Sequence, residues 1–119
     1  MLVQYKKDYE KTAMGLLSYL PDFKNFANLK DEMKLINDDT EFNLLLFRNK
    51  EANVVGVVGI QSAGLFIVIR YLSLAPGFRE EKYEKEILQE LKESNPKKKI
   101  AALPEYTYLL KLVKNKDDK

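Results

Sequence analysis

The strand–turn–helix pattern in residues 65–91 restricts the fold of this chain more than any other feature. Residues 65–74 are apolar, β-branched and aromatic without helical spacing, which is typical of a long central strand. Pro76 and Gly77 end that strand, because neither residue continues a ladder well. Over residues 79–93 the apolar side chains recur at helical spacing and predict an amphipathic helix. A strand that leads directly into a helix N-terminus is a common place for anion binding.

Upstream of this pattern, the sequence predicts a short strand, two helices and a hairpin. Residues 2–5 suit a first strand, and residues 9–20 and 26–36 carry apolar side chains at helical spacing. Residues 42–48 and 54–60 are apolar or β-branched runs on either side of a polar loop, which is typical of a hairpin. Together with the central strand, these two runs predict an antiparallel meander.

Two glycines lie inside the second strand of that hairpin, where glycine weakens a strand. We interpret Gly56 and Gly59 as marking a bulge or relieving crowding against a helix, and the close approach of a ligand is the less favoured alternative. The strand is expected to end at Ile60, before a turn at residues 62–64.

Downstream of the amphipathic helix, the sequence predicts one more strand and one more helix. Residues 100–103 are a short apolar run that should lie parallel to the central strand, because a helix connects the two. Pro104 is expected to start a last helix, and a polar tail of residues 115–119 is predicted to be disordered. The apolar face of the last helix consists of Tyr106, Leu109, Leu110 and Val113.

Composition limits the class of protein. With 119 residues, 45% of them hydrophobic, residues 1–119 are expected to form a single domain. The net charge of +2 comes from mixed signs, so no nucleic-acid partner is predicted. No apolar stretch is long enough for a signal peptide or a membrane span, so we expect a cytoplasmic protein. Without cysteine or histidine, disulfides and thiol chemistry are excluded, and no metal site is predicted.

The turn after the central strand carries a family resemblance. Leu74, Pro76, Phe78 and Arg79 form a hydrophobic-x-Pro-x-aromatic-Arg sequence, and hydrophobic residues follow at matching places in the helix. This pattern resembles the core of the GCN5-related N-acetyltransferase superfamily. The resemblance extends in element order over nearly the whole chain.

The first residues narrow that resemblance. Residues 1–7 and 13–18 are similar to a small acetyltransferase-like subfamily encoded in bacterial riboflavin-synthesis operons. The superfamily opens its helix with an Arg/Gln-x-x-Gly-x-Gly/Ala loop, and this chain has Lys82 and Glu84 at the two glycine positions.

The resemblance implies an α+β fold with a mixed sheet flanked by helices. The sheet would combine the antiparallel meander with a parallel strand after the central helix, and it would lack the two C-terminal strands of many family members. In the family, the first two helices flank the acceptor cleft, and the central strand and the parallel strand separate to admit the pantetheine arm of the cofactor.

The cofactor implied by the resemblance is acetyl-CoA. Main-chain groups of Leu72, Ser73 and Leu74 would lie along its thioester arm, and the loop at residues 79–85 would hold its pyrophosphate. The loop residues expected at the cofactor are Arg79, Glu80, Lys82, Tyr83, Glu84 and Lys85.

The charges of that loop act in opposite directions. Arg79 and Lys82 can pair with phosphate. Glu80, Glu81 and Glu84 stabilise the helix N-terminus by about 0.3–1 kcal/mol each and repel an anion there. These residues leave two alternatives open: the loop has kept useful affinity for the cofactor, or it has lost that affinity.

A catalytic acid and base are harder to identify, because the chain has no histidine. Many family members place a tyrosine in the last helix to protonate the leaving thiolate. The aligned position falls near Leu110, and Tyr108 is the catalytic candidate close to it in sequence. Tyr106 shares the apolar face and is expected to belong to the core.

Three functions remain open from the sequence. The favoured one is an acetyl-CoA-dependent N-acetyltransferase, acting on a small-molecule amine or a protein and linked by resemblance to riboflavin biosynthesis. The second is a module of the same fold that binds acetyl-CoA or a metabolite without turnover. The third is a scaffold for protein contacts, in which a sheet edge left by the absent strands could support a homodimer.

Overall fold

The computed structural model describes residues 1–113, and its helices and strands follow the predicted order. The predicted tail, residues 115–119, lies outside the described residues. The strands are β1 (Leu2–Gln4), β2 (Phe42–Arg48), β3 (Val54–Ala63), β4 (Phe66–Leu74) and β5 (Lys99–Ala102). The α-helices are α1 (Glu10–Leu17), α2 (Phe26–Asp38) and α3 (Glu81–Ser94). Short 3-10 helices cover Lys7–Tyr9 and Pro21–Phe23, and a longer 3-10 segment covers Pro104–Leu112.

One five-stranded sheet organises the fold, with the strand order β1-β2-β3-β4-β5. The first four strands are antiparallel to their neighbours, and β5 pairs parallel to β4 after the crossover through α3. The predicted α+β class and mixed sheet are therefore confirmed.

Each face of the sheet carries its own hydrophobic core. Successive strand residues point to opposite faces, so Leu46 packs toward α1 and α2 whereas Phe47 packs toward α3. Helix α3 contributes three fully buried side chains to its face: Ile87, Leu88 and Leu91. Full burial of such a side chain contributes about 1.5–3 kcal/mol, so α3 is firmly held on the sheet.

The predicted end of β3 is wrong. Strand β3 continues to Ala63 instead of ending at Ile60, because Gln61 and Ser62 pair with Val68 and Ile67 of β4. The connection is then the two residues 64 and 65, and Gly64 supplies the positive φ of +61°.

The last helix is a 3-10 helix and lacks the α-helical spacing that the sequence predicts. In a 3-10 helix, residues three apart lie above one another, so Tyr106, Leu109 and Leu112 share one side. Leu109 is fully buried against the α3 core, which explains why this side is held against the sheet.

The N-terminal strand is fixed by contacts distant in sequence. Leu2 pairs with Phe47 of β2, and its backbone N–H donates to Glu90 Oε1 of α3 at 2.9 Å, across 88 residues.

In the described part of the chain, every helix is too short or too polar to cross a membrane.

Candidate functional site

Strand β4 has two different halves. Its first half, Phe66–Ile69, pairs with β3 on one side and with β5 on the other. The last contact to β5 is the hydrogen bond from the Leu103 N–H to the Ile69 carbonyl, at 2.9 Å. From Arg70 to Leu74, β4 pairs with β3 while the chain of β5 turns away, so a gap opens beside the second half.

A β-bulge separates the two halves. Ile60 pairs with Ile69 and Gly59 pairs with Tyr71, so Arg70 is an extra residue in β4. In a strand, the main-chain N–H and C=O groups of successive residues point alternately to its two neighbours, and the extra residue shifts this alternation by one position. The main chain of Leu72 therefore faces the gap.

The hydrogen bonds at the gap agree with this shift. The Leu72 N–H lies close enough to the Tyr106 hydroxyl to lower the pKa of that tyrosine, and the Leu74 carbonyl accepts from Arg79 Nε at 2.8 Å. The main chain of Ser73 points the other way: the Ala75 N–H donates to the Val55 carbonyl of β3 at 2.8 Å, and Ser73, two residues earlier, faces the same side. The buried Ser73 hydroxyl donates to the Leu16 carbonyl at 2.6 Å. Of the three predicted strand positions, the structure turns the main chain of two, Leu72 and Leu74, toward the gap.

A cavity of about 250 Å³ lies beside the second half of β4. We call it the β4 cleft. Its lining consists of Tyr19, Leu20, Leu72, Ser73, Leu74, Arg79, Glu84 and Tyr108. Six of these are residues that the sequence analysis assigned to the site.

Arg79 sits at the mouth of the β4 cleft. Its guanidinium lies 4.9 Å from the ring centroid of Tyr19, in addition to the bond from Nε to the Leu74 carbonyl. These two contacts hold a positive charge at the end of β4, where an anion entering the cleft would meet it.

Tyr108 and Glu84 meet across the cleft. The Tyr108 hydroxyl donates to Glu84 Oε2 at 3.3 Å, and the tyrosine is 50% exposed. Partial burial of the phenol, followed by the nearby Glu84 charge, raises the pKa of Tyr108 to about 12. Tyr108 therefore keeps its proton at neutral pH and can act as a hydrogen-bond donor or an acid.

Tyr106 belongs to the core, as predicted, and also reaches the gap. Its half-buried ring packs against both cores, and its hydroxyl lies beside the Leu72 N–H. Burial raises the pKa of Tyr106, and the Leu72 N–H partly offsets that rise. The sequence analysis missed this contact, because the bulge that turns Leu72 toward the gap leaves no recognisable pattern.

The loop residues expected at the pyrophosphate do not stay together. Lys82 lies over the ring of Tyr83, at 5.0 Å from its centroid, and Tyr83 packs edge-on against Phe47 and Phe78. Lys82 and Tyr83 line a separate cavity of about 730 Å³ beside the β2–β3 hairpin. A helix turns by about 100° per residue, so neighbouring positions of α3 point to different sides of it.

The other two loop residues mark the start of α3. Glu80 is the N-cap residue, where its carbonyl accepts from the Tyr83 N–H at 3.0 Å, and no side-chain cap forms. Lys85 is exposed on the first turns of α3. Neither residue lines the β4 cleft.

Behind the bulge lies a buried charged network that the sequence analysis missed. Glu32 of α2 is only 5% exposed and accepts from Arg70 in a bidentate pair, with N–O distances of 2.6 and 2.8 Å. The Tyr71 hydroxyl donates to the same carboxylate at 2.6 Å, and burial, followed by the Glu32 charge, raises the pKa of Tyr71 well above its usual value. Two signals were visible: an arginine inside an apolar strand, and a glutamate next to Met33 on the apolar face of α2.

Gly59 makes room for this network. A Cβ at Gly59 would lie 2.2 Å from Cζ of Tyr71, so the tyrosine ring occupies the space that a side chain would fill. The interpretation of these glycines as marks of a bulge is confirmed, because the register shifts between Gly59 and Ile60 and, opposite Gly56, between Phe47 and Arg48. Crowding against a helix is wrong at Gly59, because the neighbouring group is the cross-strand Tyr71 ring. At Gly56 the neighbouring group is the Leu74 side chain, at 2.6 Å.

Within residues 1–113, no group of three or more acidic side chains is placed to hold a metal ion. The chemistry available in the β4 cleft is main-chain hydrogen bonding, one guanidinium, one carboxylate and two phenols, those of Tyr19 and Tyr108.

Proteins of known structure share this fold. The structure superposes on the aminoglycoside 6'-N-acetyltransferase AAC(6')-Ih from Acinetobacter baumannii with a TM-score of 0.71 at 9% identity, covering 100% of this chain and 92% of that one. It superposes on AAC(6')-Iy, solved in complex with a bisubstrate analogue of CoA and acetylneamine, with a TM-score of 0.66 at 16% identity, covering 94% and 85%.

A sequence relative is an uncharacterized N-acetyltransferase encoded in the lysA 3′ region of Bacillus methanolicus. It is 32% identical over 101 residues, which are 84% of this chain and 83% of the relative. No family model matches the chain. The chain belongs to the GCN5-related N-acetyltransferase superfamily.

Proposed function

We propose that this protein is an acetyl-CoA-dependent N-acetyltransferase whose donor binds in the β4 cleft. One observation carries the proposal: the bulge at Arg70 turns the main chain of Leu72 and Leu74 toward a gap where β5 has separated from β4. A gap of this kind accepts an extended, amide-containing arm in place of a strand.

The residues of the cleft fit the arm of the cofactor. When bound, acetyl-CoA would supply an activated acetyl group on a thioester. The Leu72 N–H is available to an arm or to a thioester carbonyl once the Tyr106 hydroxyl yields its place. The Arg79 guanidinium, at the mouth of the cleft, can pair with a phosphate.

Tyr108 is the proposed acid. In acetyl transfer, the bond from the acetyl carbon to sulfur breaks, a bond to the acceptor nitrogen forms, the nitrogen loses a proton and the sulfur gains one. A phenol with a pKa of about 12 is protonated before the reaction and can give its proton to the thiolate. Its bond to Glu84 orients the hydroxyl within the cleft.

A second candidate is a module that binds the donor without turnover. Two observations favour it: Glu84 replaces a loop glycine, and the Tyr106 hydroxyl lies beside the Leu72 N–H that the donor would need. A scaffold role through protein contacts, including a homodimer, is the third alternative carried from the sequence.

The acceptor is proposed only as a class, a small-molecule amine or a protein amine. Relatives of known structure are named for aminoglycoside acceptors, which are small-molecule amines. The link to riboflavin biosynthesis rests on the resemblance of the first residues, and riboflavin levels in a deletion strain would test it.

Binding and turnover separate these candidates. A melting-temperature titration with acetyl-CoA should give a saturable increase, about 10 °C at a hundredfold excess over the dissociation constant. Release of free thiol with a panel of amines then measures turnover.

We expect Tyr108→Phe to lower kcat about a hundredfold with little change in acetyl-CoA affinity, because the acid acts after binding. Binding without thiol release for any amine would favour the non-catalytic module, and no binding would favour the scaffold.

A further inference from the structure

The mouth of the β4 cleft has almost no net charge. Among the residues that line the cleft, Arg79 is the single cation and Glu84 is the single carboxylate. Glu81 also lies in the first turn of α3, and Glu80 precedes it at the N-cap position. These carboxylates already satisfy the positive end of the helix dipole, which would otherwise attract an anion.

The nearby lysines do not reverse this balance. Lys82 lies over the Tyr83 ring on the other side of α3, away from the cleft. Lys111 is 4.0 Å from Glu81 in an exposed ion pair. An anionic group that enters the cleft therefore meets both Arg79 and Glu84, and the attraction of one opposes the repulsion of the other.

The other groups that line the cleft carry no charge. They include the main chain of Leu72 and Leu74, the apolar side chain of Leu20 and the phenol of Tyr108. These groups suit an uncharged chain that contains amides. The lining as a whole therefore fits such a chain and contributes little to the binding of a polyanion.

We propose that this protein selects its donor through the uncharged pantetheine arm, and that the diphosphate of coenzyme A contributes little to affinity. The donor class is then acyl thioesters of pantetheine in general, whatever the arm is attached to. This inference rests on the proposed function, because it assumes that a thioester arm enters the β4 cleft.

The test compares acetyl-CoA with S-acetylpantetheine, which has the same arm and thioester but no diphosphate. Both are titrated into the ¹⁵N-labelled full chain, and the amide signals of Leu72 and Leu74 report binding even at millimolar dissociation constants. In the wild-type protein the two dissociation constants should agree within about threefold. Added salt should leave both dissociation constants nearly unchanged, because salt screens the Arg79 attraction and the Glu84 repulsion alike.

A pair of charge variants isolates Glu84. In Glu84→Gln the side chain keeps an oxygen for the Tyr108 hydroxyl and loses the charge, so acetyl-CoA affinity should rise about tenfold relative to S-acetylpantetheine, or about 1.4 kcal/mol. Glu93→Gln removes the same charge from an exposed position near the other end of α3 and should leave the affinity ratio unchanged.

The outcomes are distinct. Acetyl-CoA binding more than about thirtyfold tighter than S-acetylpantetheine in the wild-type protein would overturn the inference and leave the proposed function intact. An unchanged ratio in Glu84→Gln would also overturn it. If neither compound shifts the Leu72 and Leu74 amides, the donor site itself is absent and both proposals fail.

Discussion

The two halves of β4 are stabilised in different ways. The half before the bulge, Phe66–Ile69, is paired on both sides, so the sheet itself satisfies its main chain. The half after the bulge is paired on one side only, and side chains on the face toward α2 stabilise it. Glu32 accepts hydrogen bonds from Arg70 and Tyr71, and the Tyr71 ring packs over Gly59. A sheet can be opened for a ligand when the strand beside the opening is anchored through its other face.

Two carboxylates illustrate the same contrast. Glu32 is buried and accepts three hydrogen bonds, whereas Glu84 lies at the open mouth and accepts one longer bond from Tyr108. Removing a partner from the first should change stability, and removing the charge of the second should change ligand preference.

The largest effect is expected for Arg70→Ala. This change leaves Glu32 buried with Tyr71 as its remaining partner, so the free energy of unfolding should fall by about 3 kcal/mol. Urea denaturation measures the loss. The double variant Glu32→Leu with Arg70→Met should be more stable than Arg70→Ala alone, because no buried charge is left unpaired. A loss below about 1 kcal/mol for the single variant would show that the network does not anchor the strand.

Gly59→Ala should come next, at about 2 kcal/mol. The new methyl group would overlap the Tyr71 ring, and moving the ring disturbs its bond to Glu32. The matched control is Gly15→Ala in α1, where a Cβ meets nothing within 4 Å and alanine should stabilise the helix. Equal effects of the two substitutions on the urea midpoint would contradict this account of Gly59.

A smaller effect, about 1 kcal/mol, is expected for Tyr106→Phe. The Leu72 N–H loses the neighbouring hydroxyl oxygen, and the gap beside it lets water take that place. Amide hydrogen exchange should therefore become faster at Leu72 and stay unchanged at Ile69, which is in the doubly paired half. Faster exchange at both residues would mean that the two halves open together.

The smallest effect concerns alkaline pH. The pKa of Tyr108 is about 12 in the folded chain and 10.0 without the fold, so the unfolded chain loses this proton first as the pH rises. Stability should then fall between about pH 10 and 12. Tyr108→Phe should lose less stability over that interval than the wild-type protein, as measured by urea denaturation at each pH. An identical slope would place Tyr108 in water, away from Glu84.

Local patterns were sufficient for much of this fold. The bounds of β2 are those the sequence predicts, and the parallel placement of β5 follows from the helical crossover. The end of β3 was missed, because the polar Gln61 and Ser62 are typical of a turn and only their pairing with β4 makes them strand residues. Register is a property of two strands and is not contained in one of them.

The residues of the candidate site were predicted only in part, again because some contacts join distant parts of the chain. Resemblance placed Leu72, Leu74, Arg79, Glu84 and Tyr108 together, and the structure gathers all five at the β4 cleft. It also grouped Lys82 and Tyr83 with them, and the rotation of α3 carries those two elsewhere. Glu32 was missed, because a carboxylate is rarely buried without partners and its partners lie 38 and 39 residues further along the chain.

The bond between the Leu2 N–H and Glu90 affects the order in which the chain can fold during synthesis. Ribosomes add about 5–20 residues per second, so the 88 residues between the two groups take roughly 4–18 s to make. Strand β1 can pair with β2 well before that, but its outer side stays open until α3 has emerged. A nascent chain that stalls before α3 therefore exposes a strand edge, and such edges recruit other chains.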